Sequence, residues 1–486
     1  MEIHLAGYNV DLNLLNSYGL PDRDLLTPEI FSAAYARISR SRKSVTELRQ
    51  VAREDVAKAR KSNRNIIFGM GHHSVAEHAV FNFDIIGVSR LALEEIEKFR
   101  LVSYTEKSQR YVTLDGDFIL PREIQDESDR EAFRCIVEKQ NQFYHRAYER
   151  LKDAIFKKYP NVESKTERTK LEGWAKEDAR YILSLGTQGQ VGMTINARNL
   201  EHLFRRFSLS QYTEVREIGK QLYQQVKDIA PSIILFPEPS EFEQKINTPY
   251  GNILPDIPAY SDTSISDYRL IDWTENADER VLTAIYASEK GIPFEHAGES
   301  VGNLTDSEKK NIFLQLFENM EFFDSPPREF EMVDISFEAV ISASNFAQLK
   351  RHRIATLLTS AYDLANGTTI PESIVSNGLA EEFNTIIHQT DNLYRQFKPK
   401  YGPAADYILT NAHRRRIFMK MNLRALYHFI RLREDHHTQW DIRNLATWLG
   451  QTVKQKMPLS AMLLCGKSEY PKNYESIYQK APKTLI

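Results

Sequence analysis

The sequence predicts a helix-rich α/β (α+β) protein whose second half is a diverged repeat of its first half. Its 486 residues exceed one ordinary hydrophobic core, so two domains are expected. Helical patterns alternate with a few short strand patterns in both halves. The stretch Phe99–Val112, FRLVSYTEKSQRYV, also has the same frame as Gln348–Ser360, QLKRHRIATLLTS. Such internal similarity indicates a tandem duplication.

The first half opens with amphipathic patterns between Thr27 and Ile67, PEIFSAAYARIS and TELRQVAREDVAKA, which predict helices. Gly69 and Gly71 interrupt them, and the alternation in AVFNFDIIGV then favours a strand. Longer helical patterns follow. They are DREAFRCIVEKQNQFYHRAYERLKDAIFKKY, KEDARYILSLG, NARNLEHLFRRFSL and YTEVREIGKQLYQQV.

A change in residue composition marks the boundary between the two halves. The segment 231–267 is rich in Pro, Ser, Asp and Asn and has no periodicity, which is typical of a linker. We therefore predict domains at 1–236 and 268–486, joined by a linker at 237–267. The second half restarts with a short strand pattern and a helix. Its apolar run FEAVISASNFAQL is typical of a buried helix or strand that carries Arg351, His352 and Arg353 to an edge of the core.

Composition narrows the class of protein. The formal net charge of −3 gives no general attraction to nucleic acid or an anionic membrane. Cys135 and Cys465 cannot form a disulfide framework or a cysteine metal cluster, which fits a reducing cytoplasm. We see no signal peptide at the start and no apolar run of the roughly 20 residues that a membrane span needs. The sequence predicts a cytoplasmic protein.

Several motifs in the same order resemble the signature of flavin-dependent thymidylate synthases. GHHSVAEHAVFNFDIIGVSR resembles the G-H-x-S/T-x-x-E-H segment of that family, and the two related stretches resemble its R-H-R and E-x-S-x-R-Y motifs. NLRALYHFIRLREDHHTQWDIRNLA resembles its closing helix. The resemblance covers most of the chain. It implies the family's fold twice, and FAD as cofactor.

The two halves depart from this signature in opposite ways. The second half keeps the Q-x-x-R-H-R residues, but its E-x-S-x-R positions read Thr359, Ala361 and Asp363. The first half has Glu95, Lys98, Phe99 and Arg100 at the Q-x-x-R-H-R positions, yet it keeps the later motif. The resemblance also places Arg180 at a phosphate-binding Arg position, where the second half has Asp406. We therefore expect a composite site, although independent decay of both halves is the alternative.

The resemblance assigns dUMP binding and FAD binding to residues of both halves. Those expected to bind dUMP are Gln348, Arg351, Glu106, Lys107, Ser108, Gln109, Arg110, Arg180 and Arg433. Those expected near FAD are His72, Ser74, Arg351, His352, Arg353, Glu106, Asn422, Arg424, His428, His437, Asn196 and Arg198. In the first half the late arginine is blurred, because a one-residue shift leaves Arg205 or Arg206 at its place.

Arg433 also stands out from its helical position. At about 100° per residue from Asn422, it lies near about 20°, between Leu426 at about 40° and Phe429 at about 340°. It therefore sits on the apolar stripe, where a guanidinium needs a partner. The resemblance supplies the uracil edge, whose ionisation Arg433 would assist as the catalytic residue. A salt bridge to a nearby acid is the alternative.

Two further patterns suggest metal binding and nucleophilic catalysis. His72, His73, Glu77 and His78 suggest a metal, but their spacing misses the zinc-protease patterns and no further ligand is evident, so we expect none. Ser108 lacks a local base, so we assign it to hydrogen bonding with the nucleotide rather than to nucleophilic attack.

The resemblance implies reductive methylation of dUMP to dTMP, with methylenetetrahydrofolate and NADPH as co-substrates. Because the family forms homotetramers, two fused chains would rebuild that assembly as a homodimer with two composite sites. The alternatives are one-carbon transfer to another pyrimidine nucleotide, or a flavin- or nucleotide-binding protein that has lost turnover.

Overall fold

The computed structural model describes residues 1–15, 25–109, 116–247 and 266–484. Helices dominate it, and its strands form two four-stranded antiparallel sheets, which confirms the predicted helix-rich α+β class. Arg110 and most of the predicted linker lie outside the described residues.

The strands are β1 (Glu2–Tyr8), β2 (Val80–Ser89), β3 (Val102–Glu106), β4 (Gln188–Asn196), β5 (Tyr268–Trp273), β6 (Asp334–Ser342), β7 (Thr356–Thr359) and β8 (Arg414–Asn422). The helices before the linker are α1 (Leu12–Leu15), α2 (Glu29–Tyr35), α3 (Val45–Glu54), α4 (Val56–Arg64), α5 (Arg90–Ile96), α6 (Glu127–Lys158), α7 (Lys165–Ala179), α8 (Ala197–Ser208) and α9 (Thr213–Val226). Helix α10 (Glu241–Asn247) lies inside the predicted linker, for which the composition predicted no helix. The helices after the linker are α11 (Ala277–Lys290), α12 (Phe294–Gly302), α13 (Asp306–Phe317), α14 (Ala343–Leu349), α15 (Glu372–Ser376), α16 (Ala380–Tyr401), α17 (Leu423–Arg433), α18 (Trp440–Lys456) and α19 (Tyr470–Tyr478).

Both halves repeat a strand followed by a helix that begins at a serine cap. Ser89 accepts a hydrogen bond from Ala92 N at the start of α5, and Ser342 accepts one from Asn345 N at the start of α14. Such caps satisfy a backbone donor that the first turn leaves unpaired. The apolar run before the basic triplet is thus a strand, β6, followed by a buried helix, α14.

A second cap repeats further along each half. Asn196 accepts a bond from Asn199 N at the start of α8, and Asn422 accepts one from Ala425 N at the start of α17. These caps fix the register between the halves. β2 is one residue longer than β6 because it has a bulge at Gly87, whose φ of 68° suits glycine.

The first compact unit comprises Met1–Ser261 and Glu372–Thr410. Its sheet has the order β1-β2-β4-β3. β2 buries Phe81, Phe83 and Ile85 and exposes the residues between them, as its alternation predicts. α6 packs against α7 and α16.

The second compact unit comprises Asp262–Pro371 and Asn411–Ile486. Its sheet has the order β5-β6-β8-β7, and β6 pairs with β8 along its length. Apolar residues of β6, β8, α17 and α18 form one core with those of α11 and α13. Two helices, α17 and α18, replace a single closing helix.

The compact units differ from the predicted domains in one segment. Residues 372–410 follow the linker in sequence but belong to the first unit. The physical reason is the apolar stripe of α16, since Phe383 lies 5.8 Å from Phe143 of α6 between ring centroids. Gln140 of α6 also donates to Thr390 Oγ1 of α16 at 2.9 Å. Burial of these rings and this amide holds the two helices together.

Among the described residues, we find no helix whose length and hydropathy would suit it to cross a bilayer.

Candidate functional site

The second half brings three of its predicted site residues into contact. Arg433, at the end of α17, donates from Nε to His352 Nε2 at 2.8 Å. It also donates from Nη1 to Gln348 Oε1 at 3.3 Å and from Nη2 to the Gln348 carbonyl at 3.2 Å. The helical-wheel argument placed Arg433 on the apolar face, and a partly buried guanidinium with these partners agrees with it.

His352 acts as an acceptor in this cluster. Burial of the ring lowers its pKa well below the ordinary value, and the charges of Arg433 and His428 add to the effect. A neutral ring that accepts at Nε2 carries its proton on Nδ1. The imidazole therefore fixes the direction of the guanidinium without neutralising its charge. The ring also lies edge-on to Phe429 at 4.8 Å between centroids.

Gln348 is held from the other side. Its side-chain amide donates to Gln439 Oε1 at 3.5 Å, and Gln439 caps α18 by accepting from Ile442 N. Gln348 and Gln439 are both buried. Next to them, Asp441 accepts bonds from Ser342 Oγ and Asn345 Nδ2, so that α18 is tied to the start of α14. The polar cluster is therefore braced by two helix caps.

The first half has lost this cluster as a unit. Counted from the capping serines, Phe99 stands where the second half has His352, and Glu95 stands where it has Gln348. Counted from the capping asparagines, Phe207 stands where it has Arg433. Phe99 and Phe207 lie 5.8 Å apart between ring centroids, so an apolar pair replaces the hydrogen-bonded pair.

This register corrects the expectation that Arg205 or Arg206 occupies the late-arginine position. The helices begin at equivalent caps, so no one-residue shift exists. Arg205 instead pairs with Glu201 and Glu243 and donates to the Phe236 carbonyl.

The loop after β3 carries the E-x-S-x-R motif of the first half. Glu106 ends β3, and Lys107 N donates to the Gln190 carbonyl at 2.9 Å, which continues the pairing with β4. Lys107 is exposed, Ser108 is partly buried and Gln109 is buried. Arg110 lies outside the described residues, so its predicted role stays a prediction.

Arg180 and Asp406 occupy matching short helical turns, Arg180–Ile182 and Gly402–Ile408. Arg180 is buried, and its Nε donates to the Glu177 carbonyl at 3.4 Å. Asp406 is 1% exposed and accepts from Lys398 Nζ at 2.7 Å, Tyr212 OH at 2.9 Å and Tyr394 OH at 3.2 Å. These donors satisfy the Asp406 carboxylate, so its position has a structural role.

In each half, an arginine that is predicted to lie near FAD forms an ion pair with a glutamate. Arg198 pairs with Glu77 in the first half, and Arg424 pairs with Glu331 at 3.4 Å in the second. In the second half, Arg328 stands at the position of Ser74 and donates twice to the same Glu331. Arg424 also donates to the carbonyl of Pro326, which stands at the position of His72.

The remaining flavin candidates lie at the starts of α8 and α17, within α17 or shortly after it. Asn196 and Asn422 use their side-chain oxygens as helix caps. His428 lies 6.0 Å from His352 between ring centroids. Desolvation first, and then the charges of Arg431 and Arg433, lower its pKa. His437 is exposed, and its backbone N donates to Asp435 Oδ1.

The donor set of the second half fits FAD by its chemistry. Arg351 and Arg353 flank His352 in one turn, and guanidinium groups suit the oxygens of a diphosphate. A metal has less support. In the part of the chain that the structure describes, no three His, Cys, Asp or Glu side chains converge as ligands would.

Sequence reasoning missed two residues that bear on the site. Gln439 lies within the motif Asn422–Ala446, but its bond to Gln348 joins positions far apart in sequence. Arg40 lies beside His72, with Nη2 3.5 Å from the His72 Nε2 atom, and no motif marked it.

Comparison with known proteins agrees with this duplicated architecture. The thymidylate synthase complementing protein family matches the chain twice, at residues 24–232 and 269–459. A UPF0159 protein of Thermoplasma acidophilum is 24% identical over 448 residues, which cover 82% of this chain and 87% of that protein.

Single-domain relatives match part of the chain. A flavin-dependent thymidylate synthase of Clostridium tetani is 31% identical over 218 residues, covering 44% of this chain and 83% of that protein. One of Geobacter sulfurreducens is 33% identical over 212 residues, covering 42% of this chain and 80% of that protein. The chain therefore belongs to the thymidylate synthase complementing protein family and carries the family's domain twice, in diverged form.

Proposed function

We propose that the chain catalyses the reductive methylation of dUMP to dTMP, with FAD as cofactor and methylenetetrahydrofolate and NAD(P)H as co-substrates. One observation supports this above the others: Arg433 is oriented by the neutral His352 ring and by both Gln348 oxygens. A positive charge held in a fixed direction in a partly buried place stabilises an anion that forms during a reaction.

Arg433 acts on the uracil edge in this proposal. As N3 of the base loses its proton to solvent, negative charge develops on the ring, and the Arg433 guanidinium stabilises it without taking up the proton. Gln348 and Arg351 orient the base and sugar phosphate from the second half. The first half contributes Glu106, Lys107, Ser108, Gln109, Arg110 and Arg180. FAD, when bound, would supply the hydride that completes the methyl group, with NAD(P)H as the source of the electrons.

FAD is held, in this proposal, by residues that either half retains. Arg351, His352 and Arg353 bind its diphosphate with Asn422, Arg424, His428 and His437, and His72, Ser74, Glu106, Asn196 and Arg198 come from the first half. A complete set of substrate residues requires both halves, because each lacks what the other keeps.

The test begins with the purified full-length chain. We expect bound FAD, a change in its visible spectrum on addition of dUMP, and tritium release from 5-tritiated dUMP when methylenetetrahydrofolate and NADPH are present. A spectral change without tritium release or dTMP would favour action on another pyrimidine nucleotide. A chain that binds neither FAD nor dUMP would refute the proposal.

The shared contribution of the halves has its own test. Arg110→Ala and Arg351→Ala should each abolish turnover, because each removes one part of a single set. Substantial residual activity in either variant would mean that each half has a complete site. Activity restored by mixing the two variants would assign the shared set to residues of different chains.

A further inference from the structure

The surface around His72 has a cluster of cations that the proposed reaction does not use. We call the set Arg37, Arg40, Arg42, Lys43 and Lys58 the first-half basic patch. Arg40 Nη2 approaches His72 Nε2 at 3.5 Å, and Arg40 Nη1 approaches Met70 Sδ at 3.3 Å. Arg37 Nε donates to Ser62 Oγ on α4 at 3.2 Å. Lys58 lies one turn before Ser62 on the same helix. These contacts join the loop after α2, the helix α4 and the turn of His72.

Within the described residues, the patch carries no ion pair. Its neighbouring arginines differ in this respect, since Arg49 and Arg53 pair with Asp11, and Arg60 pairs with Glu29. The carboxylates of the same segment serve as helix caps. Glu47 completes a capping box with Ser44, and Asp55 accepts from Lys58 N. The patch thus keeps an excess of positive charge at an exposed surface.

The second half has the opposite charge in the corresponding helices. Residues 29–64 carry ten Lys and Arg against four Asp and Glu, whereas residues 277–317, which span α11, α12 and α13, carry four against seven. Pro326 replaces His72 there, and Arg328 is tied to Glu331. Positive charge and the exposed histidine therefore occur together in one half and are lost together in the other.

We infer that the first-half basic patch binds the flexible, multiply anionic tail of a small co-substrate whose reactive end reaches His72. The inference rests on the proposed function for the identity of that co-substrate. Two tails share the chemistry: the phosphates of a dinucleotide and the linked carboxylates of an oligoglutamyl folate. Several exposed cations suit such a tail, because a mobile chain gains from summed attraction without a rigid pocket.

The test measures binding and needs no turnover. Isothermal titration at low salt compares tetrahydrofolate with its pentaglutamyl form, and NADH with NADPH, on the full-length protein. We expect one pair to show about tenfold tighter binding of the more anionic member, with the preference shrinking as salt rises. Which pair responds identifies the tail.

The matched variants localise the effect. Arg42→Gln, Lys43→Gln and Lys58→Gln together should remove the preference and leave the affinity for the less anionic member unchanged. Lys157→Gln, Lys158→Gln and Lys165→Gln remove the same charge from exposed positions of α6 and α7 and should keep it. Circular dichroism confirms that each variant is folded.

The inference would be overturned if the wild-type protein showed no preference for the more anionic member of either ligand pair, or if the patch variant and the control variant lost the preference equally. It would also be overturned if a single-stranded oligonucleotide bound more tightly than either tail and needed the same cations of the first-half basic patch. Tail-dependent binding without dTMP formation would instead refute the proposed function alone.

Discussion

The two halves share a backbone plan and differ in what they place at the same points of it. In the second half, the end of α17 and the turn after α14 meet through Arg433, His352 and Gln348. In the first half, the ends of α8 and α5 meet through Phe207 and Phe99. Both arrangements fill the same junction between a helix end and a turn, one with hydrogen bonds and the other with an apolar ring contact.

The comparison shows how a duplicated site can specialise. An isolated Arg433 opposite phenylalanine would lose its hydrogen-bond acceptors, and a lone His352 opposite phenylalanine would lose its donor. Because an unpaired polar group in a buried place is costly, the members of the junction are expected to change together. The first half has phenylalanine at both positions, Phe99 and Phe207.

The largest expected effect on activity comes from replacing Arg433 of the second half by phenylalanine, the residue at the equivalent position of the first half. Arg433→Phe should lower kcat by about 10³-fold, or about 4 kcal/mol, because one oriented charge is lost from the transition state. Initial-rate measurements of dTMP formation test this. Leu432→Phe places the same ring at the exposed neighbouring position and should retain activity. Near-normal turnover in Arg433→Phe would mean that the polar junction is not catalytic.

Replacing Phe207 of the first half by arginine, the residue at the equivalent position of the second half, should reduce stability. Phe207 is 3% exposed, and its Cβ lies close to α9 at Gly219. Phe207→Arg puts a charge against the Phe99 ring, and we expect it to reduce the free energy of unfolding by about 3–5 kcal/mol. Urea unfolding measures the loss, and Phe207→Leu, which stays apolar, should lose about 1 kcal/mol. If Phe207→Arg were as stable as Phe207→Leu, the first-half junction would not be a closed apolar contact.

A smaller difference between the halves concerns pH. The folded state lowers the pKa of His352, so the unfolded chain binds the proton more readily. Stability is therefore retained above about pH 6.5, the ordinary histidine value, and declines as the pH falls below it. His352→Phe, which copies Phe99, removes this titration and should flatten that part of the profile relative to wild type. Parallel profiles from urea unfolding between pH 5 and pH 8 would contradict the assignment of a neutral His352.

The smallest effect is expected where Arg328 stands at the position of Ser74, a residue predicted to lie near FAD. Arg328 is exposed, and its bonds to Glu331 are surface contacts that solvent screens. Arg328→Ser should leave the thermal midpoint unchanged, since Arg424 keeps its bond to the Pro326 carbonyl. A clear drop in the midpoint would show that the Arg328–Glu331 contact holds the second half together.

Local patterns predicted much of this fold because they depend on neighbours in sequence. The alternation of Phe81, Phe83 and Ile85 marked β2, and the apolar period around Leu426 and Phe429 marked α17. The contact of Arg433 with His352 was not predicted, since periodicity says which face a residue occupies and not what it meets. The late-arginine position of the first half was assigned to Arg205 or Arg206 rather than to Phe207, because the cap that sets the register, Asn196, is a feature of three-dimensional structure.

The place of α16 in the first compact unit could not be predicted from the sequence for the same reason. Its apolar stripe indicates that it packs, but the stripe does not name a partner, and its partner α6 lies on the other side of the linker in sequence.

The membership of α16 in the first compact unit constrains how the protein can be produced in pieces. A fragment ending before the linker would leave Phe143 and Gln140 facing water, and the complementary fragment would carry an orphan amphipathic helix. Expressed alone, each is expected to aggregate, whereas the pair expressed together can recover the missing contact. We therefore expect that neither half can be truncated or engineered as a separate module unless α16 stays with α6.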